Sequence, residues 1–169
     1  RHWSAIGDRY QSIGEVVQAM RTAGLESSNL IVGVDFTKSN EWTGGKSFSG
    51  RCMHDVSSGV RTPYEASNKA LEVLRAVAQT LEPFDDDRLI PCYGFGDSRT
   101  SDRAVFSFLP NNAPCNGLDE AVARYRSIAR AAELSGPTNF APLINKAIDI
   151  VLANGYTYHI LVIIADGQV

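Results

Sequence analysis

Two stretches of this chain are apolar at every position, are the length of a strand, and end at an aspartate. Leu30-Ile31-Val32-Gly33-Val34 runs into Asp35, and Ile160-Leu161-Val162-Ile163-Ile164-Ala165 runs into Asp166. A strand with one wet face alternates apolar and polar residues. Unbroken runs suit strands covered on both faces, as in a parallel sheet. Neither run approaches the roughly 20 apolar residues that span a bilayer. Helical patterns lie between them. Ser12-Ile13-Gly14-Glu15 has the form of a capping box for a helix closed at Gly24. Thr62-Pro63-Tyr64-Glu65 opens a second, with Ala66, Ala70, Val73, Leu74, Val77 and Leu81 on one face. Leu118, Val122, Tyr125, Ile128 and Leu134 mark a third, closed by Gly136-Pro137, and residues 141–153 form a fourth that Asn154-Gly155 ends. Residues 89–95, with Pro91 near the start, and 105–109 read as strands. Their connection is too short for a crossover helix, so they are antiparallel. Residues 37–62, polar and rich in glycine, predict a long loop.

Helices alternating with buried strands define the class. It is α/β, a doubly wound, mostly parallel sheet with helices on both faces and one antiparallel edge strand. With 169 residues and 44% apolar content, the chain supports one core, so residues 1–169 are expected to form a single domain. A sheet ending on its most apolar strand would leave an unpaired edge. The expectation is therefore a domain incomplete at its C-terminus, with its last strands missing. Sixteen basic residues against 19 acidic give a net charge of -3, which excludes nucleic-acid binding by bulk phosphate neutralisation. Cys52, Cys92 and Cys115 form no C-x-x-C pair and read as reduced thiols of an intracellular, cytoplasmic protein.

In doubly wound sheets ligands bind at the carboxyl ends of the strands. If the two apolar strands are neighbours, Asp35 and Asp166 lie on the order of 5 Å apart, and their charges repel unless a cation sits between them. An extended segment would place Asp35, Thr37 and Ser39 on one side. All are hard oxygen donors, without histidine or cysteine, which suits Mg²⁺, Mn²⁺ or Ca²⁺ better than zinc. Singly, each aspartate reads first as the cap of a helix or turn at a strand end. Gly94-Phe95-Gly96-Asp97-Ser98-Arg99 starts like a dinucleotide fingerprint, but Arg99 stands in place of its third glycine, so it reads as a turn. Asp85-Asp86-Asp87 reads as a solvated surface, and His159 as a structural or surface histidine. Cys52 and His54, without an orienting partner, read as loop residues. Trp42 either faces a partner or packs back on the domain.

Three motifs in order, Asp35-Phe36-Thr37-Lys38-Ser39-Asn40, Gly136-Pro137-Thr138-Asn139-Phe140-Ala141-Pro142 and Ile163-Ile164-Ala165-Asp166-Gly167, resemble a von Willebrand factor A domain with a metal-ion-dependent adhesion site. Tyr93-Gly94-Phe95-Gly96 makes it similar to the copine type. Leu25-Glu26-Ser27-Ser28-Asn29-Leu30 and Lys38-Ser39-Asn40-Glu41-Trp42-Thr43-Gly44 make it most similar to the copine-like domain of plant RING-type E3 ubiquitin ligases. The resemblance implies that Thr37, Ser39 and Thr138 offer hydroxyls to a divalent cation, most readily Mg²⁺, with Mn²⁺ and Ca²⁺ as alternatives. Asp35 and Asp166 would hold it directly or through water. It implies a partner protein that donates an Asp or Glu carboxylate to the metal, with Trp42 and Asn139 as candidate partner contacts. A RING-bearing parent would also meet a ubiquitin-conjugating enzyme. Membrane contact would come through other parts of the protein, and the whole protein could sit in the cytoplasm, at the plasma membrane or in the nucleus. This domain itself would be non-catalytic. Two alternatives stand beside that reading. One is a copine proper, binding phospholipid with calcium through C2 domains. The other is a Mg²⁺-dependent phosphotransferase using Asp35 as nucleophile, which lacks the second acid such enzymes need where Thr37 stands.

Overall fold

The computed structural model describes residues 9–47, 52–55, 69–85 and 87–166. Strand β1 (Asn29–Asp35) lies at the centre of a four-stranded sheet. On one side it pairs in parallel with β3 (Cys92–Phe95), and on the other with β6 (His159–Ile164). Strand β4 (Val105–Ser107) closes the β3 edge antiparallel, so the order is β4-β3-β1-β6. The two apolar runs are thus neighbours, in register with Val34 opposite Ile164.

Both faces of β1 are covered, which is why its sequence does not alternate. Leu30, Val32, Val34 and Phe36 point into a core shared with Leu71, Leu74 and Ala78 of α3 (Lys69–Leu81) and Val122 and Tyr125 of α4 (Gly117–Ala131). Met20 of α1 (Ile13–Thr22) packs against the same core. Ile31 points the other way, joining Tyr93, Phe95 and α5 (Ala141–Ala153) through Leu143 and Ala147. Gly33 lets α5 sit directly on the sheet, because a Cβ there would overlap the Leu143 methyls. Half of the expected α1 capping box forms, with Ser12 Oγ accepting from the Glu15 amide at 3.3 Å, while the return bond goes to the residue before the cap. The carboxylate of Glu15 reaches back to the Gln11 amide at 2.7 Å. The box at Thr62-Pro63-Tyr64-Glu65 lies outside the described residues.

Four local expectations are corrected. Residues 37–62 are not one loop, since α2 (Ser39–Ser47) begins immediately after the β1 turn. The strand expected over 89–95 breaks at Pro91. Leu89–Ile90 (β2) pairs antiparallel with Cys115–Asn116 (β5) in a separate two-stranded sheet. A proline has no N–H to continue the ladder, and the chain changes sheets there. The strand expected over 105–109 stops at Ser107. Helix α4 ends at Ala131 rather than at Leu134, and Leu134 and Ser135 instead bridge to Asp97 and Thr37. The thiols of Cys52, Cys92 and Cys115 are free.

Candidate functional site

The parallel strands all give out at one end of the sheet, and the sequence-marked residues gather there. Asp35 is the last residue of β1 and is fully buried. The chain then turns instead of continuing extended. The Thr37 amide donates to Asp35 Oδ1 at 2.7 Å, and the Asn40 amide donates to the Thr37 carbonyl at 3.2 Å, starting α2. The hydroxyls of Thr37 and Ser39 therefore meet through a tight turn, at 2.8 Å, and not through strand alternation. Thr138 arrives from the segment before α5, its hydroxyl 3.2 Å from that of Thr37. Ser135 ties that segment down. Its amide donates to the Gly96 carbonyl at 3.1 Å, and its own carbonyl accepts from the Lys38 amide at 3.0 Å.

Asp166 lies two residues past β6, half-buried, and its Oδ2 accepts from the Thr43 hydroxyl at 3.0 Å. The register sets Asp166 one position further along than Asp35, yet its charge reaches the Asp35 carboxyl. Burial pushes the Asp35 pKa up; the Thr37 side chain and amide pull it back, and the Asp166 charge raises it again. Asp35 Oδ2 is buried without a hydrogen-bond partner among the described residues. A buried carboxylate with an unsatisfied oxygen, subject to the charge of a second carboxylate, is costly unless a cation compensates it. Two carboxylates and three hydroxyls form a hard-oxygen donor set that fits Mg²⁺, Mn²⁺ or Ca²⁺.

Several supporting residues were not among the site residues expected from sequence. Asn40 is buried, and its Nδ2 donates to the carbonyls of Asp35 at 3.1 Å and Thr37 at 2.9 Å. Gly96, with φ +85°, packs against Thr37, where a Cβ would overlap the Thr37 methyl. His54, read from sequence as a loop residue, is 4% exposed and donates from Nε2 to the Asp35 carbonyl at 2.6 Å. Tyr125 Oη donates to its Nδ1 at 2.8 Å. The tautomer follows because a carbonyl only accepts. Burial pushes the imidazole pKa down to about 4, against smaller opposing effects of the Asp35 carbonyl and the Asp166 charge.

The two candidate partner contacts differ. Trp42 sits one helical turn after Ser39 and is 68% exposed. Asn139 is half-buried with both ends of its amide engaged, donating to the Asp102 carbonyl at 2.8 Å and accepting from the Ala141 amide at 3.0 Å.

The sequence model of the copine family matches residues 53–169. The chain belongs to the copine family. Among its relatives, E3 ubiquitin-protein ligase RGLG3 of Arabidopsis thaliana is 54% identical over 166 residues, covering 98% of this chain and 43% of that protein. E3 ubiquitin-protein ligase RGLG4 of the same plant is 52% identical over 169 residues, covering 100% of this chain and 40% of the relative. Copine family protein 1 of Caenorhabditis elegans is 44% identical over 158 residues, covering 94% of this chain and 14% of that protein. The copine chain thus spans about two fifths of the length of the ligases it matches. The family match begins at Met53, after the Asp35–Ser39 turn, whereas the ligase RGLG4 matches over all 169 residues and so includes it.

Proposed function

We propose that this copine chain is a metal-ion-dependent protein-binding module. Asp35, Thr37, Ser39, Thr138 and Asp166 hold a divalent cation, Mg²⁺ first and Mn²⁺ or Ca²⁺ as alternatives. The observation that carries the reading is the buried, unbonded Oδ2 of Asp35 beside three converging hydroxyls and a second carboxylate. The cation supplies a Lewis-acidic position for a carboxylate from a partner's Asp or Glu, because neutral hydroxyls leave much of its charge uncompensated. Trp42 offers an exposed aromatic surface to that partner, of the kind found at binding hot spots. Asn139 contributes by fixing the segment that carries Thr138.

The ligase relatives give the module a setting. In a parent with a RING domain it recruits a substrate or partner in the cytoplasm, while a ubiquitin-conjugating enzyme is bound elsewhere in the protein. Among the described residues no helix is long and apolar enough to cross a membrane. A phosphotransferase using Asp35 as nucleophile is disfavoured by the complete burial of that residue. Thermal melts with EDTA and then with millimolar Mg²⁺, Mn²⁺ or Ca²⁺ test the reading. An ion at about a hundred times its Kd adds roughly 2.7 kcal/mol to the native state. A stabilisation that Asp35→Ala abolishes supports the site; an equal rise in that variant rejects it.

A further inference from the structure

His54 and Tyr125 form a buried polar chain that ends on the backbone of the candidate site, and neither was needed to describe its donors. Tyr125 is fully buried in the α4 face of the core, so its hydroxyl has a fixed position. It donates to His54 Nδ1 at 2.8 Å, which leaves Nε2–H to donate to the Asp35 carbonyl at 2.6 Å. The imidazole lies flat on Phe36, with ring centroids 4.5 Å apart and 16° between planes, so it is held in plane as well as by its two nitrogens. Asn40 Nδ2 is the second donor to the same carbonyl. Two donors on one carbonyl fix the peptide between Asp35 and Phe36, and that peptide sets where the Asp35 carboxylate and the Thr37 hydroxyl point.

We infer that His54 is a positioning residue for this site, clamping the Asp35 carbonyl so that the Asp35–Thr37 turn presents its oxygens in the geometry a cation needs. The inference rests on the cation reading above. A histidine that only filled the core would require shape alone, and phenylalanine would serve as well on Phe36. A clamp requires the donor at Nε2, which phenylalanine lacks and glutamine can supply. Partners outside the ligand set that hold the ligands commonly change metal affinity by 10–100-fold when removed.

The test compares His54→Phe, His54→Gln and Tyr125→Phe by two readouts. The first is hydrogen exchange of the Thr37 amide in metal-free protein, since that amide donates to Asp35 Oδ1. The second is Mn²⁺ affinity by calorimetry. His54→Phe is expected to speed Thr37 exchange and weaken Mn²⁺ binding, each by about tenfold, with the Ile31 and Val32 amides unchanged. His54→Gln should stay within about threefold of wild type on both, and Tyr125→Phe should fall between. Unchanged Thr37 exchange in His54→Phe overturns the inference, as does faster exchange spread equally over Ile31 and Val32. If His54→Phe does not fold, Tyr125→Phe decides by the same criteria. A His54→Phe variant that binds Mn²⁺ as wild type does removes this inference alone. A wild type that takes up no Mn²⁺ removes the cation reading and this inference with it.

Discussion

Asp35 and Asp97 are both buried, lie at or just past the ends of the neighbouring parallel strands β1 and β3, and both receive a backbone N–H from within the next three residues. Their second oxygens differ. Asp97 Oδ1 accepts from the Thr100 amide at 2.8 Å and from the Thr100 hydroxyl, while Oδ2 accepts from Arg99 Nε at 2.9 Å. Its pKa is lowered because those bonds and the Arg99 charge outweigh burial. Asp35 has no such completion. Its Oδ2 is unbonded among the described residues, burial dominates, and the nearest resolved charge effect comes from another carboxylate. One aspartate is a finished structural cap. The other keeps an uncompensated oxygen, which the proposed cation would complete, and an inventory of acidic residues would not separate them.

The largest expected effect concerns the support behind Asp35. The His54 pKa is about 4 in the folded protein against 6.5 unfolded, so the unfolded chain binds more protons between those values. Stability from this group is complete above pH 6.5 and is lost as the pH falls towards 4, by about 3 kcal/mol in all. Urea melts at pH 7 and pH 5 should show a fall in wild type that His54→Gln flattens. Asp97 has no comparable loss in that window, since its lowered pKa confines its contribution to loss below pH 3.8.

Next is the direct exchange of roles. Asp35→Asn is expected to keep or raise metal-free stability, because it removes a buried charge facing Asp166. It should also abolish the roughly 2.7 kcal/mol gained from an ion at a hundred times its Kd. Differential scanning calorimetry with and without Mg²⁺ reads both. Asp97→Ala should do the reverse. It strips the Thr100 and Arg99 bonds, costs about 2 kcal/mol of stability, and leaves the metal-dependent rise in place. If Asp97→Ala removed the ion response and Asp35→Asn kept it, the contrast would be inverted. The smallest effect belongs to Trp42→Ala. At 68% exposure it should change stability by less than about 0.5 kcal/mol while weakening capture of an acidic partner peptide.

The sheet's parallel core was legible from the apolar runs over 30–34 and 160–164, although double coverage holds for β1, buried from Leu30 to Asp35, while β6 is only half-buried up to Ile163. The gathering of Asp35, Thr37 and Ser39 was legible from the strand end, although strand alternation is not the turn that forms, and Thr138 was legible only through the family resemblance. Helix α2 was illegible for a physical reason. Ser39-Asn40-Glu41-Trp42-Thr43-Gly44-Gly45-Lys46-Ser47 carries two glycines and little helix propensity. Its first turn is set by the Asn40 and Glu41 amides bonding back to Thr37 and Lys38. His54 was illegible because its partners stand 19 and 71 residues away, and nothing local marks a polar loop histidine as buried. The break at Pro91 was half legible. Proline signalled a strand start, but not that Ile90 would leave for a different sheet.

The most direct test of a cation at Asp35 is paramagnetic broadening of backbone amide signals by substoichiometric Mn²⁺. Thr37, Ser39, Thr138 and Asp166 should broaden first, while Asp87, in the acidic run before β2, stays sharp, and Asp35→Asn should abolish the pattern. Broadening centred on Asp87, or an unchanged pattern in Asp35→Asn, would contradict a cation at Asp35.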